Sequence, residues 1–159
     1  MRRFATALTL IALAAPAAAQ DDPILEVAVS DDYGEYIVAR DRPVYAFVTT
    51  GVRGGDDITP LLSCTGRCLE DWPLVTSPAD EVPISDEVSR YLVETIDWQG
   101  QNVVIYASNA LFHYFRDEPG QEPLGQEVHT WGGWWYLVRP DGTLIVTGVG
   151  PPPPIRQED

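Results

Sequence analysis

Two stretches of this chain repeat one pattern, so its fold has to accommodate two copies of the same unit. Ala39–Thr50 aligns with Tyr106–Asp117 at an offset of 67 residues. Further along, Trp72–Val75 aligns with Trp135–Val138 at an offset of 63 residues. Each copy then consists of a strand, a turn, an aromatic strand, a long loop and a Trp-x-Leu-Val segment. The four-residue difference falls in the loop, where the first copy also carries both cysteines.

We expect a mainly β fold in which two sequence-related β-rich halves pack as one domain over 20–148. Repeat 1 is expected at about 34–75 and repeat 2 at about 100–138. A serine followed by two acidic residues predicts a short helix near 85–92. Residues 149–159 are rich in proline and acidic residues, which predicts a disordered tail that leaves the domain.

The N-terminus has the pattern of a secretory signal peptide. Arg2 and Arg3 precede the apolar stretch Phe4–Ala15, and Ala17–Ala19 supplies a cleavage motif. The apolar stretch is too short to span a membrane. The next residue is Gln rather than the Cys of a lipoprotein, so we expect residues 1–19 to be removed and the protein to be soluble. We therefore predict a periplasmic or secreted location.

The composition restricts the possible partners. The chain has 24 Asp and Glu against 10 Arg, with no lysine, and a net charge of −14. Such a chain repels phosphate backbones and anionic lipid surfaces, so we expect neither nucleic-acid binding nor membrane insertion. The remaining partners are an envelope protein or a small ligand.

Cys64 and Cys68 are the only cysteines, and in an exported chain the simplest expectation is a disulfide that pins a surface turn. Two alternatives remain open. A short-ring disulfide can be redox-active, and two soft thiolates can hold Cu(I), with His113 or His129 as further metal ligands. We expect no cofactor if the two cysteines form a structural disulfide, and copper if their thiolates bind Cu(I).

The ordered set of motifs resembles a family of secreted lipoprotein repeats of unknown function, whose signature is an aromatic strand with Tyr-x4-Asp. The resemblance covers about 34–142, most of the chain after the signal peptide. The matching segments are Val44–Phe47, Cys64–Cys68, Trp72–Leu74, Leu111–Asp117, Pro119–Gly120, Gly125–Gln126 and Trp135–Tyr136.

This resemblance implies a fold and an envelope location but no reaction. Neither copy keeps the full motif, because Thr50 stands at the acidic position of repeat 1 and Phe112 at the tyrosine position of repeat 2. The resemblance implies structural roles for the motif residues Tyr45, Phe47, Trp72, Phe112, Tyr114, Asp117 and Trp135.

Trp131, Trp134 and Trp135 form a dense aromatic group around two glycines. Exposed rings would make a platform for a sugar or a peptide, whereas alternate members, with Trp135 as the anchor of its repeat, would instead belong to the core.

No catalytic motif accompanies these residues. The sequence has no G-x-S-x-G, H-E-x-x-H or phosphate-binding glycine loop. We therefore expect a non-enzymatic binding or interaction module of the cell envelope, with a thiol-based redox or Cu(I)-handling protein and an aromatic-platform ligand binder as alternatives.

Overall fold

The structure, a computed structural model, describes residues 23–49 and 58–148. Short strands dominate these residues. The elements are, in order, β1 Leu25–Ser30, β2 Gly34–Ala39, β3 Arg42–Pro43, β4 Tyr45–Thr49, α1 Ile58–Ser63, α2 Arg67–Asp71, β5 Thr76–Ser77, a 3-10 turn Arg90–Leu92, β6 Val93–Trp98, β7 Gln101–Tyr106, β8 Asn109–Ala110, β9 Val128–Thr130 and β10 Gly133–Leu137.

The strands form three small antiparallel sheets, which confirms the mainly β fold class. Their orders are β1-β2-β3, β4-β10-β9 and β5-β7-β6, and β8 pairs with β7. The predicted signal peptide and tail, at 1–19 and 149–159, lie outside the described residues. No helix in the described part of the chain is long and apolar enough to cross a membrane.

The hairpin β1–β2 has its counterpart in β6–β7, and the short strand β3 has its counterpart in β8. In both halves a two-residue turn follows the second strand, at Arg40-Asp41 and at Ala107-Ser108. All four of these residues have positive φ, between 49° and 60°. Positive φ at both central residues matches the right-handed twist of the flanking strands, as in a type I′ turn.

The two repeats exchange segments. Tyr45 and Phe112 occupy equivalent positions, and the backbone N–H of each donates to the carbonyl of the other, at 2.8 and 3.0 Å. Tyr45 also pairs with Leu137 of repeat 2, whereas Phe112 bridges to Leu74 of repeat 1. The Trp-x-Leu-Val segment of each repeat therefore lies beside the aromatic strand of the other repeat.

A stack of four aromatic rings fills the interior between the repeats. Trp72 and Trp135 lie face to face, with ring centroids 3.8 Å apart and planes 1° from parallel. Phe47 stacks on the outer face of Trp135 at 4.1 Å, and Tyr114 stacks on Trp72 at 4.4 Å. Each indole also receives a ring edge, Trp72 from Tyr45 and Trp135 from Phe112. Both indoles are fully buried, which places this stack at the centre of the core.

Two regions differ from the sequence expectations in detail. Near 85–92 the chain forms only the 3-10 turn Arg90–Leu92, because the N–H of Ser85 donates to the Leu25 carbonyl and Ile84 bridges to the same strand. That extended pairing removes Ser85 from any helix cap. In the long loop of repeat 1, expected to be irregular, residues 58–63 form the short helix α1.

Trp72→Ala should lower the free energy of unfolding by about 3–5 kcal/mol, because it opens a cavity between the buried Trp135 ring and the partly buried Tyr114 ring. Chemical denaturation of the purified protein measures this loss. Trp134→Ala is the control, because Trp134 is only half-buried on the opposite face of β10. Equal losses for the two variants would contradict the central role of the stack.

Candidate functional site

The motif residues Tyr45 and Asp117 meet across the two repeats. The Tyr45 hydroxyl donates to Asp117 Oδ2 at 2.6 Å and accepts the N–H of Gly125 at 3.1 Å. Asp117 Oδ1 accepts the N–H of Leu124 at 2.8 Å. A Cβ on Gly125 would lie only 2.8 Å from the Tyr45 ring, so only glycine fits this close approach.

Burial dominates the electrostatics of this pair. Desolvation raises the pKa of Asp117, although the Tyr45 and Leu124 hydrogen bonds and the Arg42 charge partly oppose that rise. Desolvation and the Asp117 carboxylate raise the pKa of Tyr45 far above its ordinary value of 10.0. Tyr45 therefore stays protonated and donates its hydrogen bond. The pair fixes the loop between Asp117 and Gly125, which is a structural task.

Tyr45→Phe should lower the free energy of unfolding by about 1–3 kcal/mol, because it leaves the Asp117 carboxylate and the Gly125 N–H buried without this partner. Tyr106→Phe is the control, since the Tyr106 hydroxyl donates to a backbone carbonyl, that of Pro140 at 2.6 Å, rather than to a carboxylate. Thermal or urea unfolding compares the two. A Tyr45→Phe protein as stable as the unmodified one would contradict a stabilising role for the hydrogen bond between Tyr45 and Asp117.

His113, which belongs to the same segment as Asp117, is also buried. Its Nδ1 lies 3.1 Å from the Pro43 carbonyl, which can only accept, so Nδ1 carries the proton. Burial is the main cause that lowers the pKa of His113 from 6.5 to about 4; Arg42 and Arg40 lower it further, and the Pro43 hydrogen bond partly opposes. His113 is thus a neutral core histidine that holds a backbone carbonyl.

This lowered pKa predicts acid sensitivity. The unfolded chain takes up a proton at His113 near pH 6.5, whereas the folded chain does so only near pH 4. Stability from the neutral ring is complete above pH 6.5 and is lost as the pH falls to 4, on the order of 3 kcal/mol. The raised pKa of Asp117 acts in the opposite direction, because the folded state favours its protonated form.

His113→Asn should flatten the fall in stability between pH 6.5 and pH 4, because the Asn amide can still donate to Pro43 but does not titrate. His129→Asn is the control and should keep the slope, since His129 is exposed. Urea unfolding across this pH range measures both. An unchanged slope in His113→Asn would contradict the assignment.

Cys64 and Cys68 form a disulfide between the end of α1 and α2, with Cα atoms 5.1 Å apart. Both are 1% exposed and belong to the core cluster that contains Leu61 and Trp72. The residues between the two cysteines, Thr65, Gly66 and Arg67, are exposed, so the bridge ties a surface turn to the core through two buried sulfurs.

The structure does not bring the four proposed metal ligands together as a site. His113 is bonded to Pro43, whereas His129 lies on β9 against Trp134, with ring centroids 4.6 Å apart. Among the described residues, no group of three or more His, Cys, Asp or Glu is placed to hold a metal ion. Copper binding stays a prediction.

The three tryptophans of the expected platform take different positions. Trp135 is fully buried in the ring stack, so it cannot contribute to an exposed platform, because alternate residues of β10 point to opposite faces. Trp134 is half-buried beside His129. Trp131 alone is exposed, at 43%.

Trp131 joins a second exposed ring through Asp71. Its Nε1 donates to Asp71 Oδ2 at 3.2 Å, and the N–H of Phe115 donates to the Asp71 carbonyl at 2.9 Å. Phe115 is 48% exposed, and the Arg116 guanidinium lies 5.2 Å from its ring centroid. We call Trp131, Phe115 and Asp71 the aromatic surface.

The sequence indicated only one of these three residues. Phe115 follows the motif strand and Asp71 precedes the repeat tryptophan, so both belong to segments that the repeat explains structurally. In the sequence, Phe115 is notable only as an apolar ring next to Arg116 at the end of the expected aromatic strand. Asp71 had no signal, because its role depends on contacts made across the fold.

No protein-family model matches this chain, and searches of curated proteins and of solved structures each return no match. The function therefore has to be inferred from the residues of the chain itself.

Proposed function

We propose that this chain is an exported, non-enzymatic binding module of the cell envelope that uses the aromatic surface to hold a neutral ligand with flat apolar faces. The signal-peptide pattern of residues 1–19, the disulfide and the resemblance to secreted lipoprotein repeats support a periplasmic or secreted location.

Trp131 is the main support for this proposal, because neither the conformation of its turn nor packing in the core explains a tryptophan at this position. It occupies the first central position of the two-residue turn between Thr130 and Gly133, with φ of 56°. That conformation favours Asn, Asp or Gly and costs an ordinary bulky residue about 1–2 kcal/mol. Such strain persists where the side chain has another task, and here the ring is exposed rather than packed in the core.

The surface is also held in place before any ligand arrives. The Asp71 carboxylate fixes the Trp131 ring, and the Asp71 carbonyl fixes the backbone of Phe115. The Phe115 ring meets the edge of Tyr114 at 5.1 Å, and Tyr114 is the outermost ring of the core stack. Rings that are already ordered lose little entropy on binding, which favours affinity.

The chemistry of the surface suits a neutral sugar. Aromatic faces cover the apolar faces of a sugar ring, while a carboxylate such as Asp71 accepts hydrogen bonds from its hydroxyl groups. At this surface the Asp71 carboxylate itself disfavours anionic ligands by local repulsion.

Trp131→Asn should abolish binding of a neutral N-acetylglucosamine oligomer while the free energy of unfolding holds or rises. Asn suits the left-handed turn better than Trp but has no ring. Titration calorimetry measures binding, and urea unfolding measures stability.

Trp134→Phe is the control and should bind as the unmodified protein does, because Trp134 lies outside the aromatic surface. Binding of the oligomer by Trp131→Asn, or no binding by the unmodified protein, would refute the proposed sugar site. Protection of Trp131 from a soluble fluorescence quencher in the free protein would refute the exposed platform itself.

A further inference from the structure

An open depression of about 450 Å³ lies between the turn after β2, the strand β5 and the turn before β7. None of its lining residues belongs to the aromatic surface. The side chains and backbone that line it are Arg40, Thr76, Ser77, Pro78, Gly100, Gln101 and Asn102.

Arg40 is the charged group of this depression. It is exposed and has φ of 51°, a conformation in which arginine is rare. Its Nη2 donates to the Thr76 carbonyl at 3.0 Å, which orients the guanidinium along the depression. Among the residues that the structure describes, no carboxylate lies within ion-pair distance of Arg40, although the chain has 24 acidic residues.

The second half of the fold shows what normally covers this turn. Ala107 takes the position equivalent to Arg40, and Gly142 packs directly against its methyl group. Even a Cβ on Gly142 would collide with the Cβ of Ala107, so no arginine fits there. In the turn at Arg40 the Asp41 carbonyl accepts the Gly120 N–H at 2.8 Å, but the Arg40 side chain is exposed and lines the depression. Arg40 is therefore an exposed cation, whereas the equivalent residue of the second half, Ala107, is small and buried.

We propose that the Arg40 depression binds a small molecule that carries one carboxylate and several hydroxyl groups, the chemistry of a sugar acid. A guanidinium matches a carboxylate with two parallel hydrogen bonds. The hydroxyl of Thr76 and the amide of Gln101 supply neutral donors and acceptors for ligand hydroxyls. The volume falls in the range of small-ligand sites.

The charge balance favours a monoanion over a phosphate. Arg40 supplies a single positive charge, and Asp80 is close by, since the Asn102 amide donates to Asp80 Oδ1 at 3.2 Å. A dianion would keep one uncompensated charge beside Asp80 in a chain of net charge −14.

Titration of the ¹⁵N-labelled protein with glucuronate, and separately with glucose, tests this site. Glucuronate should shift the backbone amide signals of Gly100, Gln101 and Asn102, and glucose at the same concentration should not. Arg40→Asn should weaken glucuronate binding about tenfold or more. This substitution suits the left-handed turn, and unchanged amide signals elsewhere in the free variant verify its fold.

Arg90→Asn is the matched control, because Arg90 is also exposed and bonds a carbonyl, that of Val82, at 2.7 Å. It should bind glucuronate as the unmodified protein does. The proposal is overturned if glucuronate shifts none of the three amide signals, if glucose or inorganic phosphate shifts them equally, or if Arg40→Asn binds glucuronate unchanged. None of these results bears on the Trp131 experiment, so the two sites are tested separately.

Discussion

Face-to-face contact between two indole rings, one from each repeat, organises this fold. Trp72 and Trp135 stack at 3.8 Å, and four further rings pack on this pair: Phe47, Tyr114, Tyr45 and Phe112. The reciprocal hydrogen bonds of Tyr45 and Phe112 join the same two repeats through the backbone. Side-chain packing and strand pairing thus act at one place, where apolar burial and satisfied backbone groups reinforce each other.

The same relation between repeats holds for two residues of the expected Tyr-x4-Asp pattern. The bond from Tyr45 to Asp117 joins the tyrosine of repeat 1 to the acid of repeat 2, so the motif works between repeats rather than within one. Phe112, the first departure, presents its ring edge to Trp135 instead of a hydroxyl to an acid. The second departure, Thr50, lies outside the residues that the structure describes.

Periodicity indicated strands such as β7 and offered a core position for Trp135 as one of two alternatives, because alternation along a strand reports which residues share a face. The aromatic strand expected in repeat 2 forms only isolated bridges at Phe112. It could not predict that Leu74 of repeat 1 bridges to Phe112 of repeat 2. The repeat pattern in the sequence is the same whether a segment pairs within its own repeat or with the other repeat. The short helix expected near 85–92 is present as the 3-10 turn Arg90–Leu92 and does not begin at Ser85, because Leu25 recruits Ser85 into extended pairing. Asp71 gained its place beside Trp131 only through contacts made across the fold.

The exchange of Trp-x-Leu-Val segments has a consequence for the origin of the chain. Equivalent residues that meet each other, as Tyr45 meets Phe112 and Trp72 meets Trp135, are what a twofold axis produces when two identical subunits associate. A polypeptide with one repeat alone would leave its indole uncovered and its aromatic strand unpaired. The geometry is that of a symmetric dimer joined in one polypeptide, in which one half carries the disulfide and Arg40 and the other carries Asp117 and Trp131.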